Sequence, residues 1–376
     1  MERQEKLEVL AQAAQYDLAC ACGGQQGRTL GRDGRWVYPI ALPDGRTLPV
    51  LKVLQSAGCE RNCFYCRERS GGRGQAGFSP DELATTFMEM VRVGLVKGLF
   101  LSSAIKDTPT ATMDRMLGTL ERIRCRHGFR GFVHAKIIPG ADEGQILRAM
   151  QLADRVSINL EAPSRRHLAA IAPDKGGHRQ LETAMAFIAD NVGHRTLRCK
   201  SHSTQYVVGA ADEGDREILH SLFLAYRHLR LGRGYFSAFQ PIADTPLAHK
   251  PPTPAMREHR LYQSDFLFRK YEFSFEDIIF DDNGHLSLTA DPKAVWAAGH
   301  PERYPMEINR AARHELLRVP GIGPTAATRI LGLRRHARIT DVDGLKSVTS
   351  RWRIAAPYLL FDGRRRSEDP QLSLPL

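Results

Sequence analysis

Cysteine is scarce in this chain, and the common catalytic signatures are missing from it. Its 376 residues contain seven cysteines, and the chain reads as intracellular, so a disulfide framework is not expected. No apolar run approaches the roughly 18 residues that a membrane-spanning helix needs. The opening Met1-Glu2-Arg3-Gln4-Glu5-Lys6 has mixed charge and no apolar h-region, which predicts no signal peptide. Together these absences predict a cytoplasmic protein without membrane contact, in a compartment where thiols stay reduced. The sequence has no HExxH, no P-loop and no G-x-S-x-G, so the chemistries carried by those motifs are not indicated. Acidic residues are in deficit: 42 Asp and Glu against 53 Lys and Arg give a net charge of +11. That imbalance favours a polyanionic partner and is silent on fold. A hydrophobic content of 42% and a charged content of 25% are ordinary for a globular protein. The length is enough for two domains.

Three of the seven cysteines, Cys59, Cys63 and Cys66, fall within eight residues. Their spacing is C-x3-C-x2-C, just after the largely apolar run Leu48–Leu54. A structural zinc site uses four protein ligands, often as two C-x2-C knuckles, and no second knuckle follows here. Three thiolates fill three iron corners of a [4Fe–4S] cubane and leave the fourth iron open. An open iron suits a cluster that binds and activates a ligand. Cys20 and Cys22 form a C-x-C pair that lacks a nearby partner, and two ordinary thiols are expected there in preference to a second metal site. Cys125 and Cys199 stand alone and are expected to be core cysteines.

The pattern along the chain predicts an α/β protein. Residues 1–45 form a helical and Gly-rich extension, with a helix around Leu7, Leu10, Ala11 and Ala14. From 46 to 243, strand-like and helix-like stretches alternate. The expected strands are 48–54, 98–103, 131–138, 155–160, 201–208 and 235–239. Pro49 is read as tolerable because it falls at a strand's start. Ser79-Pro80-Asp81-Glu82 opens a helix, with Ser79 as N-cap and Glu82 completing a capping box. Further helices are expected over 110–127, 142–152, 178–191 and 212–231. Six such units imply parallel pairing by right-handed crossovers. They give a partial (β/α)6 barrel with its chemistry at the C-terminal ends of the strands. The cysteine loop follows the first strand, where such a site requires it. His134, Lys136, Lys200, His202 and Gln205 are expected to face the barrel interior.

Residues 244–305 read as a connector. It contains a basic helix over 257–271 and a plain turn at Asp281-Asp282-Asn283-Gly284, which has no bidentate Glu at calcium-loop spacing. In 306–362, Leu316-Leu317-Arg318-Val319-Pro320-Gly321-Ile322-Gly323-Pro324-Thr325-Ala326-Ala327 brings an apolar helix end to a Pro-Gly-Ile-Gly turn and a small-residue helix. The two glycines permit a tight turn. Their amides would lie at a helix N-terminus and suit an anion, with Ile322 packed inward. An ordinary αα-hairpin is the alternative. From Asp343 to Tyr358 a second, degenerate hairpin is expected. Residues 301–376 hold 14 Lys and Arg against 8 Asp and Glu, a net of +6 out of the chain's +11. The tail, 363–376, is a flexible linker ending in Gln371-Leu372-Ser373-Leu374-Pro375-Leu376.

The cysteine spacing, with Tyr65 before the last cysteine, resembles the radical S-adenosylmethionine (radical SAM) superfamily. The resemblance implies a [4Fe–4S] cluster on Cys59, Cys63 and Cys66, and SAM chelated to the open iron and cleaved to a 5′-deoxyadenosyl radical. It also implies SAM contacts at Tyr65, Ser102, Ser103, Asn159, Glu161, Gln205, Val207 and Gln240. Ser102-Ser103-Ala104 departs from the family's Gly-Gly-Glu and lacks its carboxylate. Residues 316–331 resemble the helix-hairpin-helix of DNA repair proteins. That implies an all-α C-terminal domain and phosphate contacts at Pro320, Gly321, Ile322, Gly323, Thr325 and Arg329. The tail resembles the bacterial sliding-clamp motif, with Gln371, Leu372, Leu374 and Leu376 as anchors. The whole chain is similar to a bacterial group of radical SAM proteins assigned to DNA modification or repair. An enzyme acting on DNA, fed by an unidentified electron donor, is therefore the expected function. Modification of RNA or tRNA, and a DNA-binding protein with a structural or redox-sensing cluster, are the alternatives.

Overall fold

The computed structural model describes residues 1–14, 37–41, 47–70 and 75–365. Cys20, Cys22 and the tail anchors Gln371, Leu372, Leu374 and Leu376 lie outside these described residues. The chain forms two compact units, 1–259 and 260–376.

The first unit begins with α1 (Arg3–Ala13), β1 (Val37–Ala41) and β2 (Thr47–Leu54). Then come α2 (Pro80–Arg92), β3 (Gly98–Ser102), α3 (Pro109–Glu121), β4 (Phe132–Lys136) and α4 (Glu143–Leu152). It continues with β5 (Arg155–Ser157), α5 (Arg165–Ile171), α6 (His178–Asn191), β6 (Ser201–Val208), α7 (Asp215–His228) and β7 (Arg233–Ala238). The seven strands form one curled sheet in the order β1 to β7. From β2 to β7 every pairing is parallel. The expected six-stranded partial barrel is therefore present.

Local chemistry explains the starts of the helices. Ser79 Oγ accepts the Glu82 amide (3.2 Å) while the Ser79 amide donates to Glu82 Oε2 (2.8 Å), and Pro80 fills the first turn. α2 then buries Leu83, Phe87 and Met90, and Phe87 alone is worth about 2–3 kcal/mol.

The sequence did not reveal β1. It runs antiparallel to β2 and sets Pro39 opposite Pro49. Pro49 is thus the third residue of its strand, not the first. It is tolerated because its facing residue is another proline on an edge strand, so both missing N–H groups fall at one step of the ladder. Cys125 is exposed rather than in the core; it lies in the π-helical turn Arg122–Arg126 with which the helix expected over 110–127 ends. Cys199 is buried, as expected.

Strand alternation sorts the sheet into two faces. Tyr206 Oη bonds Ser221 Oγ of α7 (2.9 Å), and Gly234 packs on Leu222 of α7, so this parity faces the helices. His202 shares it and bonds the Leu229 carbonyl through Nε2 (2.6 Å). The expectation that His202 faces the barrel interior is therefore wrong by one residue of register. Lys200 precedes β6, is exposed, and donates to the Leu197 carbonyl (3.0 Å), so it does not face the interior either.

The opposite, concave face carries Lys52, Phe100, His134 and Arg155 side by side in register. Lys52 is 2% exposed. Its ammonium lies 4.9 Å from the Tyr38 ring centroid and 5.7 Å from that of Phe100. Phe100 meets His134 edge to face at 4.5 Å. Arg155 lies over Phe132 (5.8 Å) and donates to Ser201 Oγ (3.2 Å). Cations set against ring faces replace part of the hydration that burial removes.

The division between the units falls within α8 (Ala255–Lys270). The second unit continues with α9 (Pro292–Ala298), β8 (Met306–Glu307), α10 (Arg313–Leu316), α11 (Pro324–Leu333), α12 (Val342–Val348), α13 (Trp352–Ala355) and β9 (Leu359–Leu360). Its core joins Leu316, Leu317, Ile322, Ile330, Leu345 and Ala355. Two features depart from the expected all-α module. β8 and β9 form a short parallel pair, and α9 lies in what read as connector. At the Asn283-Gly284 turn, Asp281 Oδ1 accepts the amides of Asn283 (3.0 Å) and His285 (2.7 Å), an ordinary Asx turn.

Gly209, just after β6, has φ +85, and a Cβ there would lie 2.1 Å from Thr253 Oγ1. Thr253 cannot swing freely, because that hydroxyl donates to the Val208 carbonyl at 2.8 Å. Gly209→Ala should destabilise the first unit by about 1–3 kcal/mol. The check is the urea midpoint of that unit, and an unchanged midpoint would show the turn to be free to move.

Candidate functional site

β2 delivers the chain to the mouth of the half-barrel. Gln55 Nε2 donates to the Phe78 carbonyl (2.7 Å) and its Oε1 accepts from Thr119 Oγ1 (2.7 Å). The chain turns at Gly58, with φ 76, into the cysteine loop. The loop then folds on itself. Gly58 N donates to Glu68 Oε2 (2.8 Å), Ser70 N to the Arg61 carbonyl (2.9 Å), and the Arg69 guanidinium to Asn62 Oδ1 (2.6 Å). Two neighbouring segments hold it. Glu60 N donates to the Ile105 carbonyl beyond β3 (2.9 Å), and Phe64 N to the Ile171 carbonyl at the end of α5 (2.8 Å).

Cys59, Cys63 and Cys66 are all half-buried free thiols. Cys59 Sγ accepts the amides of Arg61 and Ile105, each at 3.4 Å. Donors of this kind stabilise a metal-bound thiolate and tune it. A cubane takes each thiolate on its own iron, so the three thiols of this loop suit three corners of such a cluster.

Glu161 stands beside these thiols. It follows β5 with φ +63 and is 3% exposed. Its amide donates to the Gln205 carbonyl (2.9 Å) and its carbonyl accepts from Val207 N (2.8 Å), which splices it onto β6. Its carboxylate is ion-paired with Lys175 and lies within hydrogen-bonding reach of the Tyr65 hydroxyl, which in turn reaches Cys63. Burial pushes the Tyr65 hydroxyl well up, and the Glu161 charge pushes it further. Burial raises the Cys63 thiol too, against the pull of Lys175. Sequence reasoning missed Lys175. It sits in the turn Ala172-Pro173-Asp174-Lys175-Gly176-Gly177, where a lone lysine reads as solvated.

Ser102, Gln205 and Val207 share the concave parity near the strands' C-terminal ends, and all three, like Asn159 just beyond β5, are buried. Ser103 is half-buried, and its hydroxyl already donates to the Ala104 carbonyl (2.7 Å). Gln240 lies two residues beyond β7, is exposed, and reaches the Thr253 carbonyl at 3.5 Å. An open groove of about 650 Å³ lies between α6 and α7, on the helix side of the sheet, away from the cysteine loop.

In the second unit, α10 and α11 are joined by the Pro320–Gly323 turn. Gly321 has φ +83, and a Cβ there would meet the Arg351 carbonyl at 2.8 Å. Gly323 caps α11. Three of the turn's carbonyls are engaged: Gly321 O by Thr349 Oγ1 (3.1 Å), Ile322 O by Lys293 Nζ, and Gly323 O by the Ala327 amide (2.8 Å). The amides of Gly323, Thr325 and Ala326 have no acceptor among the described residues. Ile322 and Pro320 are buried, while Thr325 and Arg329 are exposed one turn apart on α11.

No family model matches the chain, and no curated protein matches it. Among solved structures it is similar to HydG, a maturase of the [FeFe]-hydrogenase, at 12% identity and a TM-score of 0.49, over 58% of this chain and 49% of that one. It is similar to methylornithine synthase PylB at 11% identity and a TM-score of 0.45, over 57% and 60%. A radical SAM methyltransferase from Sphaerobacter thermophilus aligns at 13% identity and a TM-score of 0.45, over 63% and 72%. The chain thus spans about half the length of the first of these.

The Glu161–Lys175 pair is nearly dry, with side-chain exposures of 4% and 11%. Removing one partner leaves a buried charge alone, so Glu161→Gln should destabilise the first unit by about 3 kcal/mol. Glu161→Gln with Lys175→Met should recover most of that loss in urea melts. Additive losses in the double variant would show that the two side chains do not act as a pair.

Proposed function

We propose that this chain is a radical SAM enzyme that acts on DNA, either modifying a nucleotide or repairing a lesion. The observation that carries the chemistry is three half-buried thiols on one loop at the strands' C-terminal mouth, with amides on Cys59 Sγ and the Tyr65–Glu161–Lys175 group beside them. Cys59, Cys63 and Cys66 would hold a [4Fe–4S] cluster and leave one iron for SAM. Bound there, cluster and SAM would supply radical hydrogen-abstraction chemistry. The chain's own part is binding and exclusion. Ser102 and Gln205 offer polar groups on the concave face, Asn159 adds a buried amide just beyond β5, Val207 offers an apolar flank, and the helix layer closes the other side of the sheet from water. An electron donor is required and would have to approach the exposed rim of the loop.

DNA is favoured as substrate by the second unit. Amides at the start of α11 have no acceptor among the described residues, the surrounding segment is basic, and phosphate contacts of this type do not depend on sequence. The terminal Gln371–Leu376 would tether the chain to a sliding clamp through apolar anchors.

Anaerobic reconstitution with iron, sulfide, dithionite and SAM should yield 5′-deoxyadenosine. Cys63→Ala should yield none, and Cys125→Ala the normal amount. Failure of the wild-type protein to release deoxyadenosine under any reductant would sink the enzyme reading. For the substrate, Thr325→Glu is cleaner than a change at Gly321, where any side chain strikes the Arg351 carbonyl. A glutamate at the second position of α11 supports the helix dipole but repels phosphate. It should weaken duplex binding about tenfold, ~1.4 kcal/mol, in fluorescence anisotropy. Tighter binding of tRNA than duplex DNA, with no effect of Thr325→Glu, would favour RNA as the substrate.

A further inference from the structure

The turn between α10 and α11 has a cation beneath it that belongs to neither helix. Lys293, on α9, is 7% exposed, and its ammonium donates to the Ile322 carbonyl. Nζ lies 4.7 Å from the centroid of the Tyr271 ring. The hydroxyl of Tyr271 in turn reaches over Gly323, 3.1 Å from where a Cβ would stand. The charged groups that face Lys293 are Asp291 at the start of α9, Arg318 after α10, and Arg351 before α13. Asp291 is partly engaged elsewhere, since its Oδ1 caps α9 through the amides of Lys293 (3.0 Å) and Ala294 (2.9 Å). Arg318 is itself ion-paired with Asp277 (2.9 Å), so two arginines and one lysine share two carboxylates around this turn.

The peptide that Lys293 touches is the one that matters for an anion. The Ile322 carbonyl and the Gly323 N–H belong to the same planar peptide group. A donor on the carbonyl oxygen draws charge through that group and strengthens its N–H as a donor, more so when the donor is a cation. Gly323 N–H is one of the three amides at the start of α11 without an acceptor among the described residues.

We infer that Lys293 is a positioning residue for phosphate: it holds and polarises the Ile322–Gly323 peptide from inside, so that the grip of this turn on a DNA phosphodiester is coupled to uptake of a proton. This rests on the DNA reading above. The direction of the coupling follows from the surroundings. Burial, with Arg318 and Arg351 adding to it against Asp291, pushes the Lys293 ammonium down to about 7 from 10.5. In the free protein it is therefore partly deprotonated at neutral pH. A phosphodiester brings a negative charge that does not itself titrate there, and it favours the ammonium form. The complex then binds more protons than the free protein above pH 7, so affinity falls as pH rises.

The test uses the full-length chain and a short fluorescein-labelled DNA duplex, at fixed ionic strength from pH 6 to 9. Wild-type affinity should fall about tenfold across that range, corresponding to an upward shift of Lys293 by about one pH unit in the complex. Lys293→Met should bind more weakly at pH 6 and show no such slope. Lys293→Arg, which cannot lose its charge, should restore affinity and stay flat. Calorimetry of the wild-type protein at pH 7, in buffers of different ionisation enthalpy, should show uptake of on the order of half a proton per duplex. This readout needs no variant to fold. Duplex binding without a pH slope or proton uptake overturns the inference and leaves the DNA reading standing, as does the same slope in a folded Lys293→Met protein. A chain that binds no duplex at any pH overturns both.

Discussion

The carboxylate of Glu161 is the constraint on which the barrel mouth depends. It is buried, charged and carried on a residue in the left-handed region, three conditions that each oppose folding. Its surroundings hold it there. Both backbone groups are bonded into β6, the carboxylate is paired with Lys175, and the Tyr65 hydroxyl is within reach. These contacts come from three segments: the cysteine loop after β2, the turn after α5 and the end of β6. One buried charge therefore fixes the spacing of the loops that form the mouth. The cysteine loop also closes on itself through Glu68, Arg61 and Asn62.

The concave face obeys a second electrostatic rule. Lys52, His134 and Arg155 lie in one register row beneath the mouth, interleaved with Tyr38, Phe100 and Phe132. Aromatic faces accept cations without adding a second buried charge. Lys52 and Arg155 are thus held in the interior against aromatic faces.

How much of this could be read in the sequence depends on whether a residue's role is local. The cysteine loop was legible because all three thiols and Tyr65 lie within eight residues. The capping box at Ser79 and the Pro-Gly-Ile-Gly turn were legible for the same reason. β1 was not, because a five-residue strand centred on proline has no distinguishing period, and only its pairing with Pro49 makes it a strand. Lys52 was hidden in a run that reads as apolar, although Val50, Lys52 and Leu54 share one parity. His202 and Gln205 differ in parity, so both could not have faced the interior; applying the period-2 rule strictly would have shown this. Lys175 and Lys293 carried no signal at all. Each acts across a turn in the fold on a residue 14 or 29 positions away, and nothing in the local pattern of either marks it.

In the second unit the turn before α11 is supported from behind. An amide aimed outward leaves its peptide's carbonyl, or a neighbouring one, aimed inward, where it must find a donor. Thr349 meets that need for Gly321 and Lys293 for Ile322. Neither belongs to the turn, and both lie outside the stretch that resembles a known motif. The motif alone is therefore an incomplete description of an anion site, since the donors behind it decide how strongly its amides can bind. On the proposed reading, phosphate would be held at the start of α11 while the chemistry waits at the barrel mouth. A base inside a duplex cannot reach such a mouth without leaving the stack. The grip on the backbone then serves to keep the strand in place during extrusion, and because it reads no base edges, it would leave the choice of target to the concave face.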